Sequence, residues 1–223
     1  MTENVRVWPG DAGRGEIQIL EEREAWRNES ARVLVARARF PGTEDGRHIE
    51  KEQFRLAHAE GMSDGVVVAP ILPDGRIILV RQFRHPVRMW TRELPRGGRS
   101  SDEPPEKAAA RELREEVGSE AEAALPLGRM TTDSGQQSGY VHLFAACVGE
   151  PRRREPEDTE AIDRLFRYTF AELRAACQRG DVADSFTLGV VLRLEPHFDG
   201  DRFVYRPDAA PPPSSDDGDA GGE

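Results

Sequence analysis

Residues 110–119, ARELREEVGS, carry three glutamates at the spacings of one helical face: Glu112, Glu115 and Glu116 stand at i, i+3 and i+4. Each like-charge pair at such spacing costs an isolated helix about 0.2–0.5 kcal/mol. A face turned to water tolerates that cost, and Arg111 and Arg114 offset part of it. A divalent cation removes it, because Mg²⁺ is a hard ion that takes carboxylate oxygens, water and substrate phosphate together. These residue types therefore allow either an acidic surface or metal-assisted phosphate chemistry.

The flanking residues predict how the face is presented. Pro104 and Pro105 mark a helix start, where no N–H partner is needed. Asp102 or Ser101 is placed to cap it, and Gly118 to end it. Ala109, Leu113 and Val117 recur every four residues, with Ala110 beside them, and form the stripe to be buried. Ahead of the helix, Gly97 and Gly98 open the stretch as a loose segment.

Gly97, Glu103, Arg111, Glu112, Leu113, Glu115, Glu116 and Gly118 together resemble the Nudix box, G-x5-E-x7-R-E-U-x-E-E-x-G-U, where U is a bulky aliphatic residue. Seven letter-specific positions match, a coincidence expected by chance on the order of 10⁻⁴ or less. Ser119 departs from the pattern at the final apolar position; it weakens a packing contact and removes no ligand. The segment RQFRHPVRMWTRELPRGG, with its Q-x-R and E-L-P-x-G elements, is similar to the strand and loop before the box in ADP-ribose and nucleoside-diphosphate-sugar pyrophosphatases. The N-terminal strands and GDVADSFTLGVVLRL extend the likeness from about Ile17 to Leu194.

The resemblance implies a fold, a reaction and a set of roles. The fold is α+β, a Nudix α/β/α sandwich with a mixed sheet and a small N-terminal antiparallel strand lobe. The reaction is hydrolysis of a diphosphate with Mg²⁺, or Mn²⁺ in its place. Glu112, Glu115 and Glu116 match the metal-binding glutamates, and the main-chain carbonyl of Arg96 matches a further ligand. Arg111 matches the box arginine that orients those carboxylates, and Glu103 a supporting glutamate. Arg84, Glu93 and Gly135 match substrate contacts. A downstream loop supplies one more acid as base or ligand: Glu160 is the best match, with Asp158 and Glu157 as rivals. Glu115 or Glu160 then accepts the proton. The implied substrate is ADP-ribose or a related nucleoside diphosphate sugar, split to a nucleoside monophosphate and a sugar phosphate. The Ser-Pro-Gly turn of many ADP-ribose enzymes is here Asp133-Ser134-Gly135, without proline. That keeps open a dinucleotide substrate, NADH or a diadenosine polyphosphate. A non-catalytic nucleotide-sensing module is a third reading. The resemblance also implies a homodimer formed through the N-terminal strands.

Elsewhere the order is strands, helix, strands, helices, a mixed α+β or sandwiched-sheet arrangement rather than regular βαβ alternation. In ARVLVARARF, Leu34, Ala36, Ala38 and Phe40 alternate with Val33, Val35, Arg37 and Arg39, the period of a strand. HIEKEQFRLAH reads as its return strand. GVVVAPILPDGRIILVRQFR is a hairpin turning at Pro73-Asp74-Gly75. GYVHLFAACV is a buried strand, IDRLFRYTF mixes strand and turn, and residues 169–196 read as two helices broken near Gly180-Asp181. The expected organisation is a leader over 1–15, a strand lobe over 16–60, a catalytic domain over 61–196 and an acidic, disordered tail over 205–223. GMSDG at 61–65 matches a serine nucleophile elbow, but that turn needs a following helix and VVVAPILP is a strand. The histidines show no metal spacing; His142 reads as structural, and His85 lies near the candidate site.

Composition excludes other classes. A net charge of −10 argues against non-specific nucleic-acid binding. No apolar run approaches the roughly 18 residues of a membrane span, and the N-terminus lacks the apolar core of a secretory signal. Cys147 and Cys177 stand apart with no CxxC, which fits a reducing, cytoplasmic setting. Lys51 and Lys107 are the only lysines among 31 basic residues; the planar arginine fork suits phosphate.

Overall fold

A computed structural model describes residues 10–11, 14–42, 47–121, 123–152, 154 and 161–209. Most of the expected leader and of the expected acidic tail lies outside the described residues. The chain divides into two compact units, one of Met1–Ser63 with Asp133–Gly139, the other of Asp64–Thr132 with Tyr140–Glu223.

The first unit is a three-stranded antiparallel sheet of β1 (Gln18–Arg27), β2 (Ala31–Arg39) and β3 (Glu50–His58), with β2 in the middle. The alternation in β2 buries Leu34, Ala36 and Ala38, as the period-two pattern requires. The segment 133–139 joins this unit through main-chain bonds, Leu56 N–H to the Gln136 carbonyl and Ser138 N–H to the Leu56 carbonyl.

The second unit is built on a seven-stranded mixed sheet. Its strands are β4 (Met62–Ile71), β5 (Ile77–Arg84), β6 (Met89–Glu93), β7 (Arg96–Ser100), β8 (Leu125–Met130), β9 (Val141–Cys147) and β10 (Ile162–Tyr168). The main order is β10-β5-β4-β9-β8, with β6 paired to β5 and β7 to β4. β4 and β9 run parallel, Val67 beside Leu143 and Val68 beside Phe144. Ser63 of the elbow-like sequence sits in β4, with strand rather than helix after it.

The continuous apolar runs of β4, β5 and β9 follow from burial on both faces. Val67, Ala69, Ile77, Leu79, Leu143 and Ala145 face a core completed by α2 (Phe170–Arg179) and α3 (Ser185–Leu194). The intervening Val66, Val68, Ile78, Val80, Phe144 and Ala146 pack against Ala108, Ala109, Leu113 and Val117, from α1 (Pro105–Glu112) and the π-helical turn Leu113–Val117 that continues it. The result is helix, sheet, helix in layers. Each large aliphatic side chain so enclosed contributes about 1.5–3 kcal/mol relative to exposure. Short pieces, β11 (Phe198–Asp199) and β12 (Arg202–Phe203), follow α3 as a small hairpin.

Three local expectations change. Pro104 is the N-cap of α1 and no side chain caps it; neither Asp102 nor Ser101 does so, and Asp102 bonds Ser100 instead. The loose segment at Gly97-Gly98 belongs to β7. Ser119 is buried, and its hydroxyl donates to the Gly149 carbonyl at 3.2 Å, so a hydrogen bond stands where the apolar contact was expected.

Candidate active site

β7 delivers the box helix its neighbour. A Cβ built on Gly97 would lie 2.0 Å from Glu112 Oε1 and 2.4 Å from its carboxyl carbon. Only a residue without a side chain lets the strand backbone meet that carboxylate. The neighbouring strand also comes close: a Cβ on Gly65 of β4 would stand 2.8 Å from the Gly97 carbonyl oxygen.

The sequence spacing predicted a regular helix through all three glutamates. Instead Glu112 closes α1, while Glu115 and Glu116 ride on the wider π turn, which ends at Gly118 with φ of 75°. Such turns cost backbone geometry and recur where side chains must be re-aimed at functional sites. Glu112 and Glu116 are buried, 3% and 0% exposed, and Glu115 is partly open.

Arg111 gathers these groups. Its Nη1 donates to Glu112 Oε1 and to Glu115 Oε2, both at 2.8 Å. Its Nε donates to Glu103 Oε1 at 3.2 Å and its Nη2 to the Gly98 carbonyl at 2.8 Å. Burial pulls the Arg111 pKa down, but the Glu103 hydrogen bond and the charges of Glu112, Glu115 and Glu103 outweigh it and hold the guanidinium above its ordinary value. One positive charge thus serves three carboxylates.

Among the described residues, no group of three or more Asp, Glu, His or Cys side chains is gathered as a ready-made cation cage. Arg111 is bonded to two of the candidate ligands instead. The donor set nevertheless suits a hard divalent ion: carboxylate oxygens against a glycine strand that leaves Glu112 room.

A second charged group lies beside β7. Arg84 Nη2 is 2.6 Å from Glu93 Oε1, Arg96 Nη2 is 3.0 Å from Glu93 Oε2, and the same Arg96 nitrogen is 3.2 Å from Asp184 Oδ1. Four charges alternate in sign along this chain, and Glu93 at its centre is fully buried. Arg84 and Arg96 border both a cavity of about 680 Å³ with Trp90 and Asp184 and a smaller one of about 210 Å³ with Gly97. Arg84 and Glu93, taken from sequence as substrate contacts, are therefore ion-paired to each other.

Gly135 falls in the other unit, in the segment 133–139, where its N–H bonds Asp133 Oδ1 and it lines a cavity of about 450 Å³ over Leu34 and Ala36. Glu160, Asp158 and Glu157 lie outside the described residues. His85 is exposed, and His142 is half-buried with its pKa lowered, chiefly by that burial. Sequence reasoning missed the Arg96 side chain, Asp184 and Thr187. Asp184 caps α3 by accepting from the Thr187 N–H and hydroxyl, and an Asp just before a helix was the available signal.

Residues 62–185, more than half of the chain, match the NUDIX domain. The chain is 36% identical over 133 residues to an ADP-ribose pyrophosphatase of Bacillus subtilis, covering 58% of this chain and 71% of that protein. It is 34% identical over 133 residues to an ADP-ribose pyrophosphatase of Mycobacterium tuberculosis, covering 58% and 63%. A crystal structure of an ADP compounds hydrolase superposes with a TM-score of 0.66 over 81% of this chain and 92% of that one, at 20% identity, a likeness of fold.

Proposed function

This chain belongs to the NUDIX family of hydrolases, and on that premise we propose that it splits the diphosphate of ADP-ribose or a related nucleoside diphosphate sugar, giving a nucleoside monophosphate and a sugar phosphate. The observation that carries the chemistry is the convergence of three carboxylates, Glu103, Glu112 and Glu115, on Arg111. The substrate class rests on the similarity to the two ADP-ribose pyrophosphatases.

NUDIX hydrolases generally use divalent cations, and here Mg²⁺, or Mn²⁺, would be held by Glu112, Glu115, Glu116 and the Arg96 carbonyl. When bound, it supplies charge neutralisation of the diphosphate and a water of lowered pKa. The chain's own residues do the rest. Arg111 holds Glu112 and Glu115 in register and yields Glu115 as the site fills. Glu115, partly open to solvent, or Glu160 takes the proton from the attacking water. Arg84 swings from Glu93 toward a substrate phosphate or ribose, leaving Glu93 to Arg96.

A homodimer through the first unit belongs to the same reading. Trp26, Ile49, Phe54 and Leu56 are exposed on that unit's strands or next to them, and sedimentation equilibrium would test the pairing. No helix among the described residues is long and apolar enough to cross a membrane, and the two free cysteines support a cytoplasmic setting.

The reaction is tested by product analysis on ADP-ribose, several nucleoside diphosphate sugars, NADH and diadenosine polyphosphates, with Mg²⁺ or Mn²⁺ and a chelator control. AMP plus ribose phosphate from ADP-ribose supports the proposal. Cleavage confined to NADH or the diadenosine compounds moves the substrate to the dinucleotides that the Asp133-Ser134-Gly135 turn keeps open.

A further inference from the structure

We propose that the Arg96 side chain and the N-terminus of α3 form a clamp that holds the strand entering the box, which makes Arg96, Asp184 and Thr187 positioning residues for the cation site. The inference rests on the metal-site reading above for its consequence, and on independent geometry for the clamp itself.

The link between β6 and β7 is Leu94–Pro95, and it runs through Arg96 into the glycine that meets Glu112. Two contacts from α3 fasten it. The Leu94 N–H donates to Thr187 Oγ1 at 3.0 Å in a buried setting. The Arg96 guanidinium lies between Asp184 Oδ1 at 3.2 Å and Glu93 Oε2 at 3.0 Å, with its carbon 4.3 Å from the Phe186 ring centre. Thr187 and Asp184 are themselves joined, hydroxyl to Oδ2 at 2.9 Å. Asp184 therefore does two jobs with two oxygens: Oδ2 caps the helix and Oδ1 holds Arg96.

The arrangement explains why a long charged side chain stands at position 96, over a fully buried glutamate. Arg96 places its guanidinium on α3 while its main chain continues to Gly97, so the side chain ties β7, a strand of the sheet paired with β4, to a helix that packs on one face of that sheet. A displacement of this link moves Gly97 against Glu112 directly, because nothing separates them. Outer groups that orient ligands typically change metal affinity by about 10–100-fold when removed.

Two variants of the full chain separate the clamp from simple folding. Asp184→Asn keeps an oxygen to cap Thr187, since Asn is as good a cap as Asp, but removes the charge facing Arg96. Arg96→Ala removes the clamp and keeps the carbonyl. Amide hydrogen exchange read over residues 94–99 without metal should accelerate about tenfold or more in Arg96→Ala and less in Asp184→Asn, while α2 keeps its wild-type protection. Mn²⁺ titration followed by electron paramagnetic resonance should show affinity reduced on the order of tenfold in Arg96→Ala. Unchanged exchange over 94–99 in both variants would overturn the clamp, whatever the metal data. Faster exchange with unchanged Mn²⁺ affinity would overturn its link to the cation site. Wild-type protein that binds no Mn²⁺ would overturn the metal reading, and the exchange data would still decide the clamp.

Discussion

Gly97 and Glu112 are in direct contact, strand backbone against carboxylate, with no room between them for a methyl group. The obstructing atoms are the end of a flexible side chain, so Gly97→Ala should fold by pushing Glu112 aside. The expected result is a melting temperature within a few degrees of wild type, as for a strain of about 1 kcal/mol, with metal affinity reduced about 10–100-fold. Calorimetry and a Mn²⁺ titration measure the two separately.

Arg111 bonds Glu103, Glu112 and Glu115 together. Arg111→Gln should destabilise the metal-free protein by about 1.5–3 kcal/mol, the range for hydrogen bonds to charged groups. Added Mg²⁺ should recover more stability in the variant than in wild type, since binding to the folded state alone raises its stability. Thermal melts with and without Mg²⁺ check the difference; equal shifts in both proteins would count against Arg111 and the cation sharing those carboxylates.

His197 is fully buried after α3, where Nδ1 accepts the Arg206 N–H at 2.9 Å and Nε2 meets no hydrogen-bond partner among the described residues. Burial first, and the Arg206 charge second, hold its pKa below the usual 6.5. The folded state thus prefers neutral imidazole. Stability from this group is complete above about pH 6.5 and falls as pH drops below it, because the unfolded chain takes up the proton first. Between pH 7 and 5, His197→Gln should lose less stability than wild type in urea titrations.

Ser119 gives a control for these site variants. Its hydroxyl bond to the Gly149 carbonyl is ordinary and neutral, so Ser119→Ala should cost about 0.5–1.5 kcal/mol. Steady-state kinetics should show kcat and KM unchanged.

What the sequence could show followed the range of its signals. Strands buried on both sides, such as Val66–Ala69 and Ile77–Val80, announce themselves as apolar runs, and the box announces itself by fixed spacing. β7, with sequence RGGRS, and β8, with sequence LPLGRM, carry glycine or proline and too little β propensity to stand out. They are strands because β4 and β9 offer them partners. The π turn was invisible for a related reason: one added residue in a turn leaves the letters of the box unchanged. The Arg96–Asp184 pair joins a strand of the sheet to the N-cap of α3, far along the chain, and no local pattern reports so distant a contact. Glu160 remains a reading of the sequence alone.

The most direct measurement of the central claim is the turnover of ADP-ribose by wild type and Glu116→Gln in Mg²⁺, with circular dichroism to verify the fold of both. Glu116 is fully buried on the π turn, away from solvent roles. The expected result is AMP formation by wild type that EDTA abolishes, and a loss of at least about a hundredfold in the folded variant. Equal rates in the two proteins, or cleavage indifferent to EDTA, would contradict it.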